Sequence, residues 1–217
     1  MPGSLTPAVQ AEHGCDKHSC GERRKLDLVR YALVAALMVL AVWVRMSGAA
    51  LGFAPNLEWV TPAAFVGASL LGNRLSILIP LVIAVGSDVL MGNSAVLAFT
   101  WTAWGLIGLA FYQSGRRPSS LRRRLAASAL WVTASTAFFY LWTNTGFWLL
   151  HRGSFYSPGW DGLADSLRAG IPFARNQLLG NIVLTPLLLL AATAVLSLAT
   201  SRLGRDIQEL PAAQAGS

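Results

Sequence analysis

Five or six apolar stretches fill the chain between residues 28 and 199, and nearly all its basic residues lie in every second gap between them. That alternation restricts the chain to one broad class, a protein that crosses a membrane repeatedly. A hydrocarbon core of about 30 Å needs about 20 consecutive apolar residues per helical crossing. Composition agrees, since 54% of the residues are hydrophobic and only 12% charged, a balance unusual for a soluble domain. The formal net charge of +7 does not call for nucleic acid. Its arginines sit in short loops and tails, where the positive-inside rule accounts for them.

Spans are expected at about 28–46, 58–71, 75–91, 95–112, 125–150 and 171–199. The polar lead 1–27 and the lack of a small-residue cleavage site favour a retained first anchor over a signal peptide. Gly72-Asn73-Arg74 interrupts an apolar block too long for one helix, so a turn is placed there. The piece before it, 58–71, is then short for a full crossing, the kind of half-helix that lines membrane sites. A polar connection of about 20 residues is expected before the last span. All but four of the 17 Lys and Arg fall on one side of this layout, with Arg45, Arg152, Arg168 and Arg175 on the other. The expected fold class is therefore all-α, a bundle of six transmembrane helices with both termini cytoplasmic. Residues 1–27 read as a disordered cytoplasmic tail, 28–200 as the transmembrane domain and 201–217 as a second cytoplasmic tail. The expected location is a prokaryotic inner membrane.

An ionisable residue inside a span is a functional candidate, because burying it costs several kcal/mol unless it is paired or hydrated. In this layout Glu58, Asp88, Asn144, Arg175 and Asn176 all fall in the outer third of the bilayer, on four helices. They are expected to converge on one outward-facing cavity. The simpler alternative is that each snorkels to the nearby interface, or that Glu58 or Asp88 pairs with Arg175 as a structural ion pair. Trp101 and Trp104 occupy successive turns of the fourth span, deep enough for a planar ligand to stack. Tyr140, Asn144 and Trp148 share a face of the fifth by i, i+4 spacing. Trp148 and Trp59 are equally well read as interfacial anchors.

The N-terminal string His13-Gly-Cys15-Asp-Lys-His18-Ser-Cys20 offers four soft ligands, but its spacing fits no zinc finger. It is read as disordered, with no metal and no disulfide on the cytoplasmic side. His151 is the one histidine outside that tail. A bis-histidine haem and a H-E-x-x-H protease are therefore excluded, and Gly86-Ser87-Asp88 lacks a histidine to activate its serine. No nucleotide-binding loop is present. The chain reads as a non-enzyme that needs no cofactor.

Four strings occur in order: Asn56-Leu-Glu58-Trp-Val-Thr-Pro62, Ser87-Asp88-Val-Leu-Met-Gly92, Thr143-Asn144-Thr-Gly-Phe-Trp148 and Pro172-Phe-Ala-Arg175-Asn176-Gln-Leu-Leu-Gly180. Together they resemble an uncharacterised prokaryotic family of six-span proteins, itself similar to the substrate-binding S components of energy-coupling-factor (ECF) transporters. The likeness spans residues 28–200. It implies an outward-facing pocket formed by the first extracellular loop and the outer ends of several helices. On that basis Asn56, Glu58, Asp88, Trp101, Trp104, Asn144, Trp148, Arg175 and Asn176 are the expected ligand-binding residues. The resemblance also implies docking to a coupling membrane protein and ATPase subunits through small residues four apart on the first helix, here Ala32 and Ala36. The chain lacks the Met-His start of nickel and cobalt S components, so the expected cargo is a small organic micronutrient such as a vitamin. Two other readings stay open: a secondary transporter driven by protons through Asp88 or Glu58, and a non-transporting membrane scaffold.

Overall fold

The computed structural model describes residues 17–48, 50–53, 57–92, 96–117 and 119–208, and no strand occurs among them. Six helices follow one another: α1 Lys17–Ser47, α2 Val60–Leu71, α3 Leu78–Met91, α4 Leu97–Gly115, α5 Leu121–His151 and α6 Trp160–Gln208. A 3-10 turn, Arg74–Ile77, leads into α3. Four segments are long and apolar enough to cross a membrane: Gly21–Ser47, Arg74–Met91, Leu121–His151 and Trp160–Arg202. Their outward faces carry Val39, Trp43, Val82, Leu130, Leu141, Val183, Leu187 and Leu198, all exposed. Water would penalise so much bare apolar surface, whereas lipid chains accept it.

Helix α2 is the hub. Every residue from Val60 to Leu70 is buried, and α2 packs against all five other helices. At 12 residues it is about 18 Å long, too short to cross the hydrocarbon on its own. Its sequence explains its position: a helix apolar on every face is stable only when surrounded. The Gly72 turn closes it as expected. Gly72 adopts φ 59° and its amide bonds to the Ala68 carbonyl, while the Asn73 side chain caps the 3-10 turn.

Contacts between helix ends give the bundle two distinct poles. At one, Asn73 donates to the Tyr31 hydroxyl at 2.8 Å and Arg124 Nη1 to the Ser69 carbonyl at 2.7 Å. The start of α1, the ends of α2 and α4 and the start of α5 therefore meet there. Arg30, Arg74, Arg116, Arg117 and Arg122–Arg124 belong to this pole. The opposite pole holds the end of α1, the start of α2 and the end of α3, and it carries most of the residues singled out above.

Three boundaries differ most from expectation: the start of α6, the start of α1, and the end of α6, which runs to Gln208 and so into the expected tail 201–217. Helix α6 begins at Trp160 rather than near 171. Gly153 and the Pro158-Gly159 step confine the turn to a few residues. Beyond it, 160–170 is good helix sequence that packs on α5: Ser166 Oγ donates to the Asn144 carbonyl at 2.9 Å and the Tyr140 hydroxyl to the Leu167 carbonyl at 2.7 Å. Helix α1 begins at Lys17, so it overlaps the expected tail over 17–27. His13 and Cys15 lie outside the described residues.

Helices α3 and α4 approach closely at Gly108, where a Cβ would run into the Ile77 carbonyl and the Pro80 ring. Gly105, one turn earlier, has open space around it. Gly108→Leu is expected to lose about 1–3 kcal/mol of stability, read as a lower denaturation midpoint in detergent. Gly105→Leu is expected to leave the midpoint unchanged or raise it, and equal effects would contradict this packing.

Candidate functional site

The N-terminus of α2 is buried in the bundle, so its free amides need acceptors that water cannot supply. Glu58, itself 8% exposed, provides them. Its Oε2 accepts from the amide of Val60 and, at 3.1 Å, from that of Thr61. The next residue is Pro62, which has no N–H to satisfy. Oε1 accepts from Thr61 Oγ1 at 2.6 Å, Gln177 Nε2 at 3.2 Å and Asn181 Nδ2 at 3.3 Å. Five donors surround the carboxylate, all of them neutral. The positive end of the α2 dipole supplies the remaining compensation. Asn181 also donates to Thr136 Oγ1 at 3.3 Å, tying α2, α5 and α6 together.

Asp88 belongs to a different cluster. Arg45 Nη2 donates to its Oδ1 at 2.7 Å, a salt bridge from α1 to α3, and Trp101 Nε1 donates to Oδ2 at 3.0 Å. The expected partner for such a carboxylate, Arg175, is exposed on α6 instead. Helix α3 packs against α1, α2 and α4 and touches neither α5 nor α6. The cation that meets Asp88 is Arg45, on the neighbouring helix α1.

A cavity of about 200 Å³ opens at the same pole, between α5, α6 and Val96 before α4. Phe139, Tyr140, Thr143, Asn144 and Phe147 line it from one face of α5; Gly170, Phe173, Ala174 and Gln177 line it from α6. Gly170 leaves room for the Asn144 amide, which a Cβ there would displace. The orientation of both amides follows from their partners. Asn144 Nδ2 meets the Tyr140 carbonyl at 2.8 Å and Gln177 Nε2 meets the Glu58 carboxylate; both partners only accept, so nitrogen must face them. Among the described residues the oxygens Asn144 Oδ1 and Gln177 Oε1 then meet no hydrogen-bond donor. The cavity offers two acceptors, four aromatic rings and no cationic side chain.

The expected site residues divide accordingly. Asn144 lines the cavity and Glu58 stands one hydrogen bond behind it, through Gln177. Asp88 and Trp101 form the separate cluster with Arg45. Trp104 is 1% exposed and packs against Phe139 with ring centroids 4.7 Å apart and the planes tilted by 39°, behind the wall rather than on it. Trp148 donates to the Ser157 carbonyl at 3.0 Å, bracing the turn before α6. Asn176 is half-buried beside Gln177 without lining the cavity, and Asn56 lies outside the described residues. The five polar residues therefore do not share one cavity.

Sequence reasoning passed over Gln177, Asn181 and Thr185. Their i, i+4, i+8 spacing on an otherwise apolar stretch of α6 was the available signal. Asn181 and Thr185 are fully buried. Among the described residues Asn181 Oδ1, Thr185 Oγ1 and Trp104 Nε1 have no hydrogen-bond partner. Groups like these are ordinarily met by buried water.

Residues 26–203 match the model of DUF6580, a family of unknown function. The chain belongs to that family. No curated protein and no solved structure matches it. Within this DUF6580 chain the match takes in all six helices over most of their length, together with both polar clusters.

Proposed function

We propose that the chain is a membrane substrate-binding subunit, similar to an S component, that takes up a small organic micronutrient. One observation carries the reading: an aromatic-walled cavity holding two amide oxygens, Asn144 Oδ1 and Gln177 Oε1, that meet no donor among the described residues. Unpaired acceptors in a partly apolar site select a ligand with N–H or O–H donors. With no cation in the lining, the ligand is neutral, zwitterionic or cationic. At about 200 Å³ the cavity lies below the ~300–1,000 Å³ usual for drug-sized ligands, in keeping with a small molecule.

The proposal includes an orientation. Six pole-to-pole helices, the short α2 enclosed among the others, with both termini in the cytoplasm and the arginine-rich pole inside, follow from the charge distribution, which makes the cavity extracytoplasmic in a prokaryotic inner membrane. A single cysteine at Ala174, in a protein whose Cys15 and Cys20 are replaced by serine, is expected to react with a membrane-impermeant maleimide in intact cells. One at Ser119 is expected to react only after lysis, and the reverse pattern overturns the orientation. Ala32 and Ala36 are both exposed on α1, available for a coupling membrane protein. Purification from native membranes is expected to bring down that protein and its ATPases, and Ala32→Leu with Ala36→Leu to lose them.

The cavity itself is tested at Asn144. Asn144→Leu removes an acceptor and is expected to weaken binding about tenfold, while Asn144→Asp keeps an acceptor but sets a carboxylate oxygen against the Tyr140 carbonyl, so an intermediate affinity is expected. Equal affinities for all three proteins would reject the cavity as the site.

A second reading has one observation in its favour. Glu58 is buried among neutral donors, and the stripe Gln177, Asn181, Thr185 leads inward from it, an arrangement suited to a proton-coupled transporter. Uptake that follows the pH gradient without ATPase partners would select it. A scaffold without a ligand has no such feature.

A further inference from the structure

The arginine-rich pole holds a second cavity, of about 330 Å³, that ligand binding at the opposite pole leaves unused. Arg30 of α1, Arg116 at the end of α4 and Arg124 of α5 line it beside Leu70, Leu71 and Leu196. Arg124 is half-buried and held across helices, while Arg30 and Arg116 are exposed and make local contacts. Arg124 donates through Nη1 to the Ser69 carbonyl at 2.7 Å and through Nε to Ser119 Oγ at 3.3 Å, which also closes the C-terminal turn of α2. Arg116 donates to Gln113 Oε1 at 3.4 Å and lies 5.8 Å from the Tyr112 ring centroid. Arg30 is paired with Asp27 at 3.0 Å.

The charge balance is one-sided. Among the described residues neither Arg116 nor Arg124 meets a carboxylate, and no acidic residue lines the cavity. Like charges gathered around a partly desolvated space repel unless an anion joins them. The leucine wall narrows the choice of anion. A free inorganic anion would use the arginines alone, whereas a molecule with an anionic head and an apolar chain uses both walls. Depth points the same way: Arg30 stands where the charged run 22–27 gives way to the apolar stretch of α1, the level of lipid headgroups.

We propose that this cavity binds the phosphate headgroup of an anionic phospholipid, with the acyl chain leaving past Leu196. Bidentate guanidinium–phosphate contacts from Arg116 and Arg124 would hold the head.

The test uses the full-length protein in detergent, titrated with phosphatidylglycerol, phosphatidylcholine or sodium phosphate and followed by native mass spectrometry. Phosphatidylglycerol is expected to bind at least about fivefold more tightly than phosphatidylcholine. Arg116→Gln should reduce that preference about fivefold, while Arg117→Gln, an exposed neighbour outside the lining, should change it less than about twofold. Arg124→Lys separates charge from fork geometry without removing the charge near the α2 end. Equal binding of the two lipids, or equal losses in Arg116→Gln and Arg117→Gln, would show that the arginines serve topology alone. Displacement of phosphatidylglycerol by sodium phosphate at similar concentration would assign the site to a free anion and overturn the lipid proposal.

Discussion

Glu58→Ala is expected to be the most damaging single substitution in the bundle, lowering stability by more than about 3 kcal/mol. The carboxylate accepts from two backbone amides, a hydroxyl and two side-chain amides. Removing it leaves those donors buried at about 1–3 kcal/mol each when unsatisfied. Because α2 contacts every other helix, damage to its first turn spreads to the whole core. Glu58→Gln keeps one acceptor oxygen but presents an NH2 group to a donor, so an intermediate loss is expected. Unfolding in detergent, followed by helical circular dichroism, distinguishes the three proteins. A Glu58→Ala protein as stable as the parent would mean that α2 is capped some other way.

The second large effect is expected at the Arg45–Asp88 pair. Removing one partner of a buried pair costs about 3–5 kcal/mol because the other charge is left behind. Asp88 has a side-chain exposure of 0% and Arg45 of 20%, so Asp88→Ala leaves a part-buried guanidinium without its carboxylate, while Arg45→Met takes the counter-charge from a fully buried carboxylate that keeps its Trp101 hydrogen bond. Arg45→Met is the worse of the two. The double variant is expected to recover stability relative to either single one, with a coupling of about 1–3 kcal/mol. Ligand affinity in the protein that folds should be unaffected, since α3 does not touch the helices that line the cavity. A loss of affinity without a loss of stability would return Asp88 to the binding site.

Much of this architecture could be read from the chain, and the parts that could not have a common cause. The short α2 and its turn were legible because Gly72 and Asn73 carry local backbone chemistry that needs no tertiary information. The arginine-rich pole was legible because charge distribution is one-dimensional. The end of the bundle was also legible: Glu58 at the start of α2, Asp88 near the end of α3 and Asn144 in the second half of α5 lie away from the arginine-rich pole. Facing was not. Whether Asp88 turns toward α1 or α5 depends on helix rotation and neighbour order, and neither is written in hydropathy. Arg45 was set aside as a flanking charge because its partner lies 43 positions away. Gln177, which joins the cavity to Glu58, was overlooked although the span amides Asn144 and Asn176 were singled out, because which residue of α6 faces α2 depends on helix rotation. The start of α6 was misplaced because 160–170 is polar, and polarity was taken for a loop although its side chains pack on α5.

The account stands on the cavity between α5 and α6 being a ligand site, and its occupancy can be read directly. Native mass spectrometry of the protein, extracted gently from the cells that make it, is expected to show a bound small molecule. That molecule should be released on denaturation and carry N–H or O–H donors and no net negative charge. It should be lost from Asn144→Leu while the helical content and denaturation midpoint stay at the parent's values. A protein that carries nothing under conditions where it is folded, or a molecule retained equally by Asn144→Leu, would contradict the assignment.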